Sequence, residues 1–164
     1  MSNSITRDES GQYTLNGVFS PDELLGIAED VLRQRMERVG QTLEDPAQAN
    51  RFLRMAIGGL PYEVFAVLLL DGRHRILGFE KLFRGSIANV EVHPREVARL
   101  CLKYDAVSII ACHNHPSGES SPSTTDRVIT QRLKEALALV DVRLLDHIVV
   151  GATETTSMAL RGWV

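Results

Sequence analysis

Residues 111–126, "ACHNHPSGESSPSTTD", bring His113, His115 and Asp126, three side chains able to bind a metal ion, into one short stretch. The stretch leaves an apolar run, "AVSII", and enters an amphipathic segment, "RVITQRLKEALALV". Side chains two apart on a strand share a face, so His113 and His115 can aim at one point while Cys112 and Asn114 face the other way. Imidazole suits zinc, and a catalytic zinc site takes about three protein ligands and keeps one position for water. Asp126 can supply the third ligand if the loop folds back and sets the first turn of the next helix beside the strand end. A structural account competes for part of this pattern: "STTD" at 123–126 is itself a capping box, which explains Ser123 and Asp126 without a metal. It does not explain the histidines, because imidazole is a poor turn residue beside glycine, proline and asparagine.

The elements that must position these residues are readable from pattern. "SPDE" at 20–23 is a capping box with proline at the first helical position, and a helix should run from there to about Gly40. Asp45 and Pro46 open a second helix that Gly58 and Gly59 stop. "EVFAVLLLD" is a buried strand, "DGRH" a hairpin turn and "RILGFEKLF" the returning partner. "SIANVEV" reads as an edge strand or extended loop, and "HPREVARLCLKY" as a helix on the sheet. "AVSIIAC" is a strand, a helix spans about 123–139, and "VRLLDHIVVG" and "TTSMALRG" are two further strands. Strands interleaved with helices imply an α/β fold, a three-layer α/β/α sandwich around a mixed central sheet. Residues 1–58 are expected as an N-terminal helical appendage, and 59–164 as the domain itself.

Composition narrows the function classes. A chain of 164 residues, 44% hydrophobic and 24% charged, suits one globular domain. No run approaches eighteen apolar residues, so no membrane span is expected, and the N-terminus has no apolar stretch of the secretory kind. Cys101 and Cys112 are too few for a disulfide scaffold, which points to a reducing cytoplasm. The net charge of −3 comes with no Lys/Arg cluster, so composition lends nonspecific nucleic-acid binding no support.

The spacing His-x-His-x(7)-Ser-x(2)-Asp resembles the motif of the JAMM (MPN+/JAB) metalloproteases. With "HNHPSG" preceded by "LFRGS" and "VHPREV" and followed by "LLDHIVVG", the chain is similar to the RadC-like branch over about residues 60–160. That resemblance implies a JAB/MPN-like, cytidine-deaminase-like sandwich. It implies Zn²⁺ held by His113, His115 and Asp126, Glu63 of "PYEVFAVLLL" as general base, and Ser123 as hydrogen-bond donor to the tetrahedral oxyanion. Glu80 in "GFEKLF" is the alternative base. The implied reaction is amide or isopeptide hydrolysis of a peptide or protein substrate. A zinc deaminase would need His-x-Glu and Pro-Cys-x-x-Cys, which the chain lacks. The rival of another class is a DNA-repair or mobile-element-associated nucleic-acid module. RadC-like proteins often carry an N-terminal helix-hairpin-helix region, yet residues 1–60 show no glycine hairpin flanked by basic residues. A homo-oligomer stays open. Elsewhere, His147 reads as a core or interface histidine, Asp146 as a hydrogen-bonding neighbour of the site, and His93 as a helix cap. His74 falls beside the hairpin turn, and Cys112 reads as a buried, inert thiol.

Overall fold

The computed structural model describes residues 3–8, 12–36, 40, 42–43, 45–85 and 91–164. In chain order the elements are β1 (Ser4–Arg7), β2 (Tyr13–Asn16), α1 (Pro21–Met36), α2 (Pro46–Ile57), β3 (Val64–Leu70), β4 (Ile76–Arg84), α3 (Pro94–Lys103), β5 (Ser108–Asn114), α4 (Thr124–Ala138), β6 (Arg143–Val150) and β7 (Thr155–Ser157). The main sheet has the order β4-β3-β5-β6-β7. Only the β5–β6 pair is parallel, and α4 makes the crossover between them.

The period of two along β3 decides the layers. Ala66, Leu68 and Leu70 face one way and meet Phe52, Leu53 and Ile57 of α2, together with Ile110, Cys112 and Ile148. Phe65, Val67 and Leu69 face the other way and meet Val97 and Cys101 of α3 and Leu133 and Leu137 of α4. With every residue of β3 buried, the strand has to be covered on both faces, and a three-layer sandwich with a mixed sheet results. The helix starts follow the expected chemistry. Ser20 and Glu23 exchange capping bonds of 2.7 and 3.2 Å, and Asp45 accepts from the Ala47 amide at 2.8 Å. Asp71 accepts from the amides of Arg73 and Arg75 and closes the turn between β3 and β4.

Three expectations need correction. Among the described residues, a two-stranded antiparallel pair, Ser4–Arg7 against Tyr13–Asn16, precedes α1; Ile5, Thr6, Tyr13 and Thr14 are β-favouring residues. α2 is one layer of the sandwich, not an appendage: its Phe52, Leu53 and Ile57 are at most 3% exposed, so a boundary at 58 cuts through a single core. β7 ends at Ser157, because Met158 turns into the core and Gly162, at φ 71°, helps reverse the chain. Most of "SIANVEV" lies outside the described residues. No helix among the described residues is long and apolar enough to cross a membrane.

Candidate metal centre

The pairing of β3 with β5 brings the two halves of the motif together. Phe65 lies opposite His113, so Glu63, two residues before Phe65, comes beside His113 and His115 on the face covered by α4. Ala111 and His113 share that face, while Cys112 and Asn114 point towards α2. His113 Nε2 and His115 Nε2 are 3.0 Å apart. Asp126 reaches the pair from the first turn of α4, with Oδ1 at 3.2 Å from His113 Nε2 and Oδ2 at 3.7 Å from His115 Nε2. Glu63, His113 and His115 offer ligand atoms that all lie within 4.8 Å of one another, so the three could hold a metal ion.

Each group is held by its own scaffold. Ser123 and Asp126 form a full capping box: the Ser123 amide and hydroxyl each donate to Asp126 Oδ2 at 2.6 Å, and the Asp126 amide donates to Ser123 Oγ at 3.1 Å. The capping and metal-site accounts of Asp126 are therefore compatible, since the same carboxylate caps the helix and faces the histidines. The one proton of the Ser123 hydroxyl is spent on Asp126 in this arrangement. His115 Nδ1 donates to the Glu119 carbonyl at 2.9 Å. That carbonyl sits in a loop pinned to the β6–β7 turn by Ala152 N to Gly118 O, 2.9 Å, and by Ser120 Oγ, 3.1 Å from Glu154 and 3.0 Å from Thr156. Asn114, fully buried between the two histidines, accepts from the Val64 amide at 2.8 Å and donates to the Tyr62 carbonyl at 3.0 Å. It thus grips the backbone on either side of Glu63.

His147 is the member that sequence reasoning placed outside the site. It is completely buried, with Nε2 2.8 Å from His113 Nδ1 and Nδ1 2.6 Å from Thr130 Oγ1. A β-bulge puts it there: Ile109 pairs with Leu144 but Ile110 pairs with Asp146, so Leu145 is extra and His147 turns onto the face of His113. Asp146 does not reach the centre. It accepts from its neighbour's amide, from Ser157 Oγ and from the Ala159 amide, and so fastens the chain end after β7. Glu80 is engaged elsewhere, accepting from the Tyr104 hydroxyl at 2.5 Å. His93 holds the N-cap position of α3 without a side-chain capping bond; its ring meets Phe83 edge-on. Cys112 is buried, and burial pushes its thiol well above the ordinary range, which leaves it inert.

Burial and charge sort the titrating groups. Burial raises the Glu63 carboxyl above its ordinary value, against the opposing pull of His113 and His115. Burial works to raise Asp126 as well, but its close contacts with His113 and His115 and the bonds from Ser123 outweigh it and hold the carboxylate well below the usual range. Close contact with the Asp126 carboxylate raises His115, while burial drives His147 far down and keeps it neutral. The centre opens into a cleft of about 480 Å³ walled by Phe65, Val92, Val128 and Ile129, with Glu91 and Arg132 adding opposite charges.

A mixed sheet whose central strand ends in His-x-His, met by an aspartate from the following helix and a glutamate just before the neighbouring strand β3, defines a domain of the JAB type. The model of the RadC-like JAB domain matches residues 43–163, and the chain belongs to that family. It is 53% identical over 134 residues to a UPF0758 protein of Nitrosococcus oceani, covering 82% of this chain and 58% of that protein. It is 50% identical over 138 residues to one from Shewanella baltica, covering 84% and 61%. A third, from Xanthomonas campestris pv. campestris, is 49% identical over 140 residues, covering 85% and 62%. The chain thus spans about three-fifths of the length of these curated relatives.

Proposed function

We propose that this centre binds Zn²⁺ through His113, His115 and Asp126 and that the chain hydrolyses an amide or isopeptide bond in a peptide or protein substrate. The observation that carries the proposal is the convergence of the two imidazole nitrogens and the carboxylate. Zinc bonds of about 2.0–2.1 Å in a tetrahedron set ligand atoms about 3.3 Å apart. His113 Nε2 lies at close to that spacing from His115 Nε2, 3.0 Å, and from Asp126 Oδ1, 3.2 Å, while His115 Nε2 approaches the other carboxylate oxygen, Oδ2, at 3.7 Å. His115 Nδ1 donates to a carbonyl, so in the neutral ring Nε2 is the nitrogen left to bind a cation, and it faces a carboxylate and a second imidazole.

A bound zinc ion supplies an acidified water and a polarised carbonyl. Glu63 takes the water's proton and returns it to the leaving amine, and the burial that raises its carboxyl favours its holding the proton between the two transfers. Ser123 donates to the developing oxyanion, for which its hydroxyl must leave Asp126 Oδ2. The cleft walls admit an apolar side chain next to the scissile bond. The test is a zinc titration paired with a peptide and isopeptide panel read by mass spectrometry. Wild type and Glu63→Gln should each bind one zinc, His113→Ala should bind none, and only wild type should cleave. Cleavage that survives Glu63→Gln would move the base elsewhere.

A further inference from the structure

We propose that His147 and Thr130 are positioning residues: a directed chain of hydrogen bonds, starting at the main-chain carbonyl of Asp126, fixes His113 in the tautomer whose Nε2 carries a free lone pair. The purpose of the chain rests on the metal reading above; its direction does not. One end is fixed by chemistry. A carbonyl oxygen can only accept, so Thr130 Oγ1, 2.6 Å from Asp126 O, spends its single proton there. Met158 Sδ, at 3.5 Å, is a far weaker acceptor for that proton. The same Oγ1 lies 2.6 Å from His147 Nδ1, which must then be the donor.

His147 is completely buried beside the Phe65 ring, whose centroid is 5.6 Å away, so a charged imidazolium is disfavoured and the ring carries one N–H. With that proton on Nδ1, Nε2 is an acceptor, and the partner 2.8 Å away is His113 Nδ1. His113 therefore holds its proton on Nδ1 and presents Nε2 bare, 3.2 Å from Asp126 Oδ1. Reversing any link reverses the last one: a proton on His147 Nε2 would force His113 Nδ1 to accept and put the His113 proton on the nitrogen that faces the site. Asp126 thus enters the centre twice, with its carboxylate directly and with its carbonyl through Thr130 and His147.

Two measurements test this. Imidazole ¹⁵N spectra of the zinc-free wild-type protein should show His147 protonated at Nδ1; protonation at Nε2 overturns the proposal. Zinc affinity, read by competition with a chromophoric chelator, should fall about 10- to 100-fold in Thr130→Val, as for other outer partners of metal-bound histidines. Thr130→Ser, which keeps the hydroxyl, should stay within a few-fold of wild type. Equal affinity in Thr130→Val and wild type would also overturn it. If wild type bound no zinc the metal reading would fail, yet the spectra would still decide the direction of the chain, as they would if Thr130→Val did not fold.

Discussion

Asn114→Ala should separate the stability of the centre from its affinity for metal. Asn114 is fully buried and pairs with the Val64 amide at 2.8 Å and the Tyr62 carbonyl at 3.0 Å. Truncation leaves both backbone groups without their partner. Each buried polar group stranded in this way costs about 1–3 kcal/mol. Partial relaxation lowers the sum, so a loss of about 2–4 kcal/mol is expected, which for a chain of this size lowers Tm by roughly 5–15 °C. Asn114→Asp should not rescue it, because the restored acceptor for Val64 comes with a carboxylate oxygen facing the Tyr62 carbonyl. Chemical denaturation gives the first number. Zinc affinity gives the second and should change by no more than a few-fold, because His113, His115 and Asp126 rest on other scaffolds. Turnover should drop by about 10²-fold, the usual effect of a 1 Å misplacement of a catalytic group. The reasoning fails if Asn114→Ala is as stable as wild type, or if it loses zinc as completely as His113→Ala.

Three shorter predictions follow from the same geometry. Burial raises the Glu63 pKa, so its ionisation works against folding: the folded state is favoured below the ordinary value of 4.5 and loses that advantage as pH rises through the higher folded-state value. Metal-free Glu63→Gln should therefore be more stable than wild type at pH 7.5, with the gap closing below about pH 4.5, as read by urea titrations at both pH values. Ser123→Ala removes a cap and should cost about 1 kcal/mol in stability, with a larger fall of about 10²–10³ in turnover if the hydroxyl also serves the oxyanion. A Cβ at Gly151 would lie 2.5 Å from Gly118 O and 2.9 Å from Ser120 N, both backbone atoms. Gly151→Ala should push the loop off its pins, draw the Glu119 carbonyl away from His115 and weaken zinc binding by about tenfold in the chelator assay.

Much of the centre was legible in the sequence, for reasons of period and chemistry. His113 and His115 share a face because β-strand side chains alternate, and Glu63 joins them because β3 and β5 are neighbours. Asp126 was equally visible as a cap and as a ligand candidate, and its carboxylate serves the cap while facing both histidines. His147 was legible as a core histidine, and it is fully buried; its contact with the centre was not, because only the extra residue at Leu145 turns it onto the face of His113. A bulge has no dependable mark in a single sequence. The available signal was chemical, an imidazole inside the apolar run of "LLDHIVVG" that would need a partner once buried. The N-terminal strand pair was missed because strands of four residues, exposed along most of their length, carry no burial period to read. The role of α2 was hidden for another reason: its apolar stripe shows that it packs on something, but not that its partner is the central sheet.

Asp126 joins the start of a helix to the centre, and this bears on how fast an ion could leave. Its carboxylate is gripped by the Ser123 amide and hydroxyl, and its carbonyl by Thr130. For this carboxylate to swing away, the opening turn of α4 has to fray. With an ion held as proposed, its release would be timed by a local unwinding event, and anything that tightens that turn at its exposed Thr124 and Thr125 would lengthen the ion's residence.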